Sequence, residues 1–136
     1  MRIESRARSR ALQALYAWDM RDGIALDRVA QQVWDDLAVS KEEQDFAGFL
    51  VRIVIARGGE IDASLSAVTT NWRLSRIGAI ERSVLRLAIA ELLQGTTPPR
   101  VVIKESVRLA ERYGSEQSAR FVNGVLDAYA RQQGML

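Results

Sequence analysis

The sequence contains no cysteine and no histidine, and only two of its 136 residues are proline. Without cysteine, a disulfide framework and thiolate chemistry are excluded. Without histidine, the commonest general base and metal ligand is missing, together with the Ser-His and Cys-His nucleophile pairs. We predict no catalytic residue, no metal site and no cofactor, although these two absences alone do not exclude an enzyme that works with Arg, Lys, Glu and Gln.

Long apolar segments are also missing. Met1 is followed at once by charged residues, without an apolar signal segment, and no run of about 18 apolar residues follows. A cytoplasmic protein with no membrane contact is expected. The apolar fraction of 48% is enough for a hydrophobic core. The length fits one domain over residues 1–136, built from an amino-terminal helical half of about residues 1–70 and a carboxy-terminal half of about 71–136.

Charge is unevenly distributed, although the net charge is only +2. Residues 1–10 contain four arginines and one glutamate, whereas residues 19–62 contain ten acidic and five basic side chains. Residues 73–94 and 100–136 are again slightly basic. A basic patch beside an acidic flank is therefore expected.

Residues 80–93 are the most apolar stretch of the chain. Nine of these fourteen residues are Ile, Val, Leu or Ala, and they are spread around the helical wheel. A helix that is apolar on most sides is normally surrounded by other helices, so we predict that this segment is the central helix of an all-α fold. Its narrow polar strip, Glu81, Arg82 and Arg86, is either solvated or the rim of a partner surface.

Helical spacing and helix-end signals predict a bundle of about seven helices. Ser40 and Glu43 form a capping box, Pro99 is well placed to begin a helix, and Ser115 can cap the last one. The expected helices cover residues 3–21, 27–37, a segment from 41 onward that Gly58 and Gly59 should bend or break, 80–93, 100–113 and 116–131. No alternating strand pattern of useful length is present.

Two surfaces are candidates for binding. Arg2, Arg6 and Arg10 follow one face of the first helix, and arginine side chains can bind phosphates through two hydrogen bonds and stack on bases. The turn of residues 114–118 presents a helix N-terminus, whose free backbone N–H groups suit a phosphate. For either surface alone, a solvated helix face or an ordinary capped helix start is the commoner interpretation.

Three stretches together resemble the NusB family of bacterial transcription antitermination factors. They are RSRALQALYAWD (8–19), IERSVLRLAIAELL (80–93) and PPRVVIKESVRLAERYGSEQSARFVNGVLDAYA (98–130). The most specific part is YGSEQSARFVNGVLD, and the segment Asn71-Trp72-x-Leu74-x-Arg76 is also similar. The resemblance covers nearly the whole chain in the same order, although residues 22–65 are poorly informative.

The resemblance implies an all-α fold of two small subdomains that binds single-stranded boxA-type RNA of ribosomal RNA operon leaders. It also implies a protein partner, the small-subunit ribosomal protein that acts as NusE, and a larger antitermination complex on RNA polymerase. In the family, RNA lies across the arginine-rich amino-terminal segment and the start of the last helix, and the partner surface involves the central helix region. The matching positions here are Arg2, Arg6, Arg8, Arg10, Glu116, Gln117, Arg120 and Phe121 for RNA, and Glu81, Arg82 and Arg86 for the partner.

Gln117 departs from the family pattern, since members often have an aspartate there. A neutral amide can donate as well as accept hydrogen bonds, whereas a carboxylate only accepts. An amide should not repel phosphate. We therefore expect an RNA affinity at least as high as that of an aspartate-bearing version.

Other interpretations stay open. The chain could be a helical protein-interaction module without RNA binding, or a small helical-bundle enzyme of the chorismate mutase type. Such an enzyme would need several arginines and a glutamate converging on an interior pocket, whereas helical spacing puts the arginines on outward stripes. NusB-like domains also precede ribosomal RNA methyltransferases, but these residues contain no glycine-rich dinucleotide-type loop, so no methyl transfer is expected.

Overall fold

The computed structural model describes residues 2–69 and 73–136. Over these residues the chain forms six α-helices, one 3-10 helix and no strand. The predicted all-α class is confirmed. Asn71 and Trp72 of the predicted connector lie outside the described residues. The helices are α1 (Ile3–Asp19), α2 (Leu26–Asp36), α3 (Lys41–Val68), α4 (Ala79–Gln94), α5 (Pro99–Tyr113) and α6 (Glu116–Gln132), and the 3-10 helix is Leu74–Arg76.

The number of α-helices is six in the described part of the chain, instead of about seven, because α3 bends without ending. Arg57, directly before Gly58 and Gly59, has φ −123° and ψ 22°, outside the helical range. Two adjacent glycines weaken a helix at this point. Beyond the bend, Ile61 and Leu65 are fully buried, which holds the second arm of α3 in place. The bend predicted at the glycines is confirmed.

Local sequence signals set the starts of α3, α5 and α6 as predicted. The Ser40 hydroxyl accepts a hydrogen bond from the Glu43 backbone N–H at 3.2 Å and begins α3. The Ser115 hydroxyl accepts one from the Ser118 N–H at 3.1 Å and begins α6. Pro99 is the first residue of α5, where its missing N–H costs no hydrogen bond.

Helix α4 is the central helix of the bundle. It packs against α1, α3, α5 and α6. Leu85 and Ile89 are fully buried, as are most other apolar residues of this helix. Core residues from all six helices form one cluster around it. Each large side chain buried in this way contributes about 1.5–3 kcal/mol, so burial of α4 is a major source of stability.

Ion pairs fix the direction of α1 relative to α4. Arg8, near the start of α1, bonds to Glu91 near the end of α4. Asp19, at the end of α1, pairs with Arg82 near the start of α4. The two helices are therefore antiparallel.

Contacts of α5 and α6 place the start of α6 near the beginning of α4. Helix α5 runs beside α1 in the same direction, since Ser5 bonds to Glu105 and Ser9 shares a groove with Arg112. Helix α6 follows after a two-residue turn, and its Ser118 bonds to Glu81 in the first turn of α4. The start of α6 thus lies at the end of the bundle where α1 and α5 end and α4 begins.

Candidate nucleic-acid interface

Three arginines of the first helical turns are accessible at the surface. Arg2 is exposed at the N-cap of α1, and the side chains of Arg6 and Arg10 are 43% and 30% exposed. Glu43 at the start of α3 contacts two of them: Arg10 Nε donates to its Oε1 at 3.2 Å, and Arg6 Nε lies 3.7 Å from its Oε2. Two cations thus contact the same carboxylate.

The Glu43 carboxylate is held in its charged form by its neighbours. Burial acts to raise the pKa of Glu43, but hydrogen bonds from Ser40 and Arg10 and the positive charges of Arg10 and Arg6 outweigh it and lower this pKa below its ordinary value. The ionised carboxylate therefore orients both arginine side chains at neutral pH.

Arg8 is enclosed, unlike its neighbours. Its Nε and Nη2 donate to the two carboxylate oxygens of Glu91 at 2.8 and 2.6 Å, and its Nη1 donates to Glu105 at 3.2 Å. The guanidinium also lies 5.4 Å from the centre of the Phe46 ring. The resemblance names Arg8 among the RNA-binding positions, but the structure encloses it, because it shares the buried side of α1 with Ala11 and Leu12 and meets the carboxylates of α4 and α5 there.

The surroundings of Arg8 stabilise its charged form. Burial acts to lower the pKa of Arg8, but the hydrogen bond and charge of Glu91, aided by Glu105 and Glu4, raise it above its ordinary value. With its side chain 9% exposed, Arg8 connects α1, α4 and α5.

A groove of about 340 Å³ runs between α1 and α5. Arg108 and Arg112 of α5 line it together with two serines of α1; the lining residues are Ser5, Arg8, Ser9, Glu105, Arg108, Leu109, Glu111 and Arg112. The Arg108 side chain is 66% exposed, and the exposed Arg112 has its guanidinium 5.5 Å from the Tyr113 ring centre. The sequence analysis does not include Arg108 and Arg112 among the site residues. A signal for them is present in the sequence, since residues 104, 108 and 112 are all basic and lie one turn apart on one face of α5.

The start of α6 presents four predicted residues at the surface. Glu116, Gln117 and Arg120 are exposed, and Phe121 is half-buried. Arg120 and Glu116 approach to 3.8 Å, but both side chains are largely solvated, so this pair adds little stability.

Gly114 determines how tightly the turn before α6 can close. A Cβ at this position would lie 2.6 Å from the Ser118 hydroxyl and 2.8 Å from the Ala110 carbonyl oxygen, closer than packed atoms allow. The Ser118 hydroxyl in turn donates to Glu81 Oε2 at 2.7 Å. The turn is thus held against α4 by side-chain contacts that a larger residue at position 114 would disturb.

Arg82 and Arg86 point inward, which corrects the outward orientation expected from their spacing. Arg82 donates to the carbonyl oxygens of Leu74 and Ile77 and pairs with Asp19. Its side chain is 14% exposed. Because α1 ends beside the start of α4, the Asp19 carboxylate is close enough to capture this guanidinium.

Arg86 is 12% exposed and is held in the same way. Its Nε and Nη2 donate to the two oxygens of Asp62 at 2.9 and 3.1 Å, and its guanidinium lies 5.6 Å from the Trp18 ring centre. These contacts hold α1 and α3 against α4. Glu81, by contrast, is half-buried beside α6.

The predicted RNA residues do not converge on a single point. Arg2 lies beside the start of α5, in a cleft that also includes Pro98 and Val101. The groove between α1 and α5 continues from there to Arg112, next to the turn that begins α6. From Arg6 to the end of α1 is about 20 Å, so a ligand touching both ends must be extended.

Two further features are missing from the described part of the chain. No helix in residues 2–69 and 73–136 is long and apolar enough to cross a membrane. Within the same residues, no group of three or more carboxylates is positioned to hold a metal ion.

A small helical bundle with accessible arginines, an open groove and a capped helix start has the features of a helical nucleic-acid-binding protein. Residues 5–131 match the model of the NusB family. The chain belongs to the NusB family, which confirms the resemblance seen in its sequence.

Individual relatives agree over almost the full length. The transcription antitermination protein NusB of Anaeromyxobacter dehalogenans (strain 2CP-1) is 47% identical over 128 residues, covering 93% of this chain and 89% of that protein. The structure of T. maritima NusB is 32% identical with a TM-score of 0.87, covering 94% of this chain and 90% of that one. A chain in the crystal structure of antitermination factors NusB and NusE in complex with dsRNA is 31% identical with a TM-score of 0.88, covering 97% and 98%.

Proposed function

We propose that this protein is an RNA-binding transcription antitermination factor. It binds boxA-type single-stranded RNA of ribosomal RNA operon leaders together with the ribosomal protein NusE, within an antitermination complex on RNA polymerase in the cytoplasm. The observation that supports this most is the nearly full-length similarity to a chain found with NusE and RNA. The chain acts by binding and not by catalysis.

The accessible arginines supply attraction to the phosphate backbone. Arg2, Arg6 and Arg10 are accessible at the start of α1, and Arg108 and Arg112 line the groove between α1 and α5. Phosphate contacts of this kind position a strand without reading its sequence and make affinity depend on salt. Arg8 has a supporting role, because its guanidinium is bound to Glu91 and Glu105.

The start of α6 supplies contacts to bases. Splayed bases of single-stranded RNA stack on aromatic rings and form hydrogen bonds with side chains at their edges. Phe121 offers a partly exposed ring, and Gln117 offers both a donor and an acceptor. Glu116 and Arg120 border these two side chains one turn apart.

The protein partner binds near the start of α4 in this proposal. Arg82 and Arg86 support that surface from beneath, since Asp19 and Asp62 occupy their guanidinium groups. Replacing either arginine would therefore weaken partner binding by shifting the helix ends, and not by removing a group that touches the partner.

The test is RNA binding by fluorescence anisotropy with a boxA-type oligoribonucleotide, at two salt concentrations, with and without the ribosomal protein. We expect binding that weakens with salt and is stronger with the partner, and that exceeds binding to a scrambled RNA and to DNA of the same sequence. Equal affinity for the boxA-type and scrambled RNA under all conditions would overturn the proposal. Partner binding without any RNA binding would instead favour a protein-interaction module.

A further inference from the structure

A pocket of about 400 Å³ opens where the end of α1 meets the start of α2 and the bend of α3. Its volume falls in the roughly 300–1,000 Å³ range of ligand-binding clefts. It is lined by Trp18, Ala25, Leu26, Val54, Ile55, Gly58, Ile61, Asp62 and Arg86. Trp18 follows Ser9 of the groove between α1 and α5 by about two and a half helical turns, so the pocket and the groove are on opposite faces of α1.

The bend of α3 leaves this space open. A Cβ built on Gly58 would meet no atom within 4 Å, so this residue adds no side chain that would fill the cleft. The floor of the pocket is apolar and at most 6% exposed: Leu26, Val54 and Ile61. The rim is apolar as well, since Ile55 is 50% exposed and Ala25 is also exposed. Exposed apolar groups around an apolar cleft are characteristic of a site that another molecule covers.

The accessible charge in the pocket is negative. The Asp62 side chain is 38% exposed, whereas the Arg86 side chain is 12% exposed. Arg86 donates to both oxygens of Asp62, and its Nη1 lies 3.5 Å from Asp19 Oδ1. The guanidinium is therefore held by these two carboxylates, while Asp62 can accept a further hydrogen bond from a ligand. This carboxylate attracts a cation and repels phosphate, so the pocket is unsuited to the RNA backbone.

The sequence around the pocket has the same sign of charge. Apart from Trp18 and Arg86, the lining belongs to residues 19–62, which contain ten acidic and five basic side chains. A surface of this charge is complementary to a basic partner, and complementary charge speeds association and disfavours partners of the wrong sign. The occupant that fits both the apolar floor and the carboxylate is a protein segment with a large apolar side chain next to a lysine or arginine.

We propose that this pocket is a second protein-docking site, which takes a large apolar side chain flanked by a lysine or arginine from another protein of the antitermination complex. The apolar side chain packs on the floor of the pocket, and the basic group bonds to Asp62. This inference rests on the proposed function and adds to it a contact that is separate from the RNA and from the ribosomal protein.

The test compares Ile55→Lys with Leu37→Lys as a matched control. Each variant replaces a half-exposed apolar side chain with a cation, but of the two only Ile55 lines the pocket. Leu37 is 48% exposed at the C-cap of α2. Ile55→Leu keeps the apolar rim and serves as the conservative variant. Circular dichroism confirms that each variant is folded.

Each protein is loaded with boxA-type RNA and the ribosomal protein, and is then titrated into RNA polymerase elongation complexes reconstituted with the other proteins of the antitermination complex. Ile55→Lys should weaken this last step by about 5- to 30-fold, the effect of losing one buried anchor at an interface. Leu37→Lys and Ile55→Leu should match the wild type. The affinity for RNA, with and without the ribosomal protein, should agree within about 2-fold among all four proteins.

A photo-crosslink identifies the occupant. Ile55→p-benzoylphenylalanine, placed in the same assembled complex, should react with a segment that carries a large apolar residue next to a lysine or arginine. Changing that basic residue to glutamine in the full-length partner should weaken binding by about 2- to 5-fold, the range for a partly exposed ion pair. Equal affinity after this change would overturn the role assigned to Asp62.

Other results would overturn the docking site itself. If Ile55→Lys binds the elongation complex as tightly as Leu37→Lys, the pocket is not covered there. A cross-link to the RNA, to the ribosomal protein or to a second copy of the chain would contradict the proposed occupant, and absence of any cross-link would show that position 55 stays open. None of these results affects RNA binding by the wild-type protein, so the proposed function would stand. Failure of the wild-type protein to bind boxA-type RNA would overturn both proposals.

Discussion

The guanidinium of Arg8 on α1 and the carboxylate of Glu91 on α4 form an enclosed ion pair with two hydrogen bonds, of 2.8 and 2.6 Å. Side-chain exposures of 9% and 5% exclude most solvent from this pair. Arg8 therefore connects helices inside the fold. Arg6 and Arg10, two residues before and after it in the sequence, stay accessible.

The first prediction concerns the stability of this pair. Glu91→Ala should lower the free energy of unfolding by about 3–5 kcal/mol, because it leaves a buried charge with only part of its partners. The double variant Arg8→Met with Glu91→Leu should recover most of that loss, since apolar side chains can replace a buried pair. Urea denaturation followed by circular dichroism measures both. A double variant no more stable than Glu91→Ala would contradict this role. RNA binding by the double variant should match the wild type.

The second prediction concerns the accessible arginines of α1. Arg6→Ala combined with Arg10→Ala should make the plot of log affinity against log salt shallower, by about 0.7 for each phosphate that is no longer neutralised. The control is Arg21→Ala with Arg28→Ala, two exposed arginines outside the proposed interface. Anisotropy titrations at several salt concentrations provide the slopes. An unchanged slope in the Arg6→Ala, Arg10→Ala variant would show that the RNA binds elsewhere on the surface.

The third prediction concerns Gln117 at the exposed start of α6. Gln117→Asp should weaken RNA binding, because a carboxylate lacks the amide donor and adds repulsion toward phosphate. The difference between the two proteins should shrink at high salt, where repulsion is screened. Gln117→Asn serves as the control for side-chain length. Equal or tighter binding by Gln117→Asp would refute the expectation.

The fourth prediction concerns pH and Glu43. The pKa of Glu43 is lower in the folded state than its ordinary value of about 4.5, so its stabilising effect is complete above that value. This contribution is lost as the pH falls through the lower, folded-state pKa. The stability difference between the wild type and Glu43→Gln should therefore be largest near neutral pH and disappear in acid.

Thermal denaturation of both proteins from about pH 7 to about pH 3 measures that difference. Glu42→Gln is the control, because Glu42 is in the same first turn of α3 but is exposed. A gap between wild type and Glu43→Gln that stays constant over this range would show that the ion pairs with Arg6 and Arg10 do not stabilise the fold.

The fold was largely predictable because its signals are local. Ser40, Ser115 and Pro99 each begin a helix where their side chains predict one, and the apolar residues of 80–93 identify the central helix without reference to any neighbour. The helix count differs from the prediction only at the bend of α3, where two helical arms are joined across a kink at Arg57. Burial of Ile61 and Leu65 continues α3 past two glycines that would otherwise end it.

The candidate site was less predictable, because side-chain orientation depends on distant partners. Arg82 and Arg86 form a polar strip in the sequence like surface arginines, but they meet the distant carboxylates of Asp19 and Asp62. Arg8 likewise meets Glu91, which is 83 residues away in the sequence. Arg108 and Arg112 show the converse, since they gain significance only because α5 lies beside α1 and forms a groove with it.

The amino-acid sequence by itself determined the helical class, the starts of α3, α5 and α6 and the central helix, because propensity, capping and apolar periodicity act over a few residues. Its motifs also carried the resemblance to the family. Only the tertiary structure decided which charges face solvent. That outcome depends on which carboxylates the packing of α1, α4 and α5 brings within hydrogen-bonding distance, because a charged side chain is buried only where a partner compensates its lost hydration.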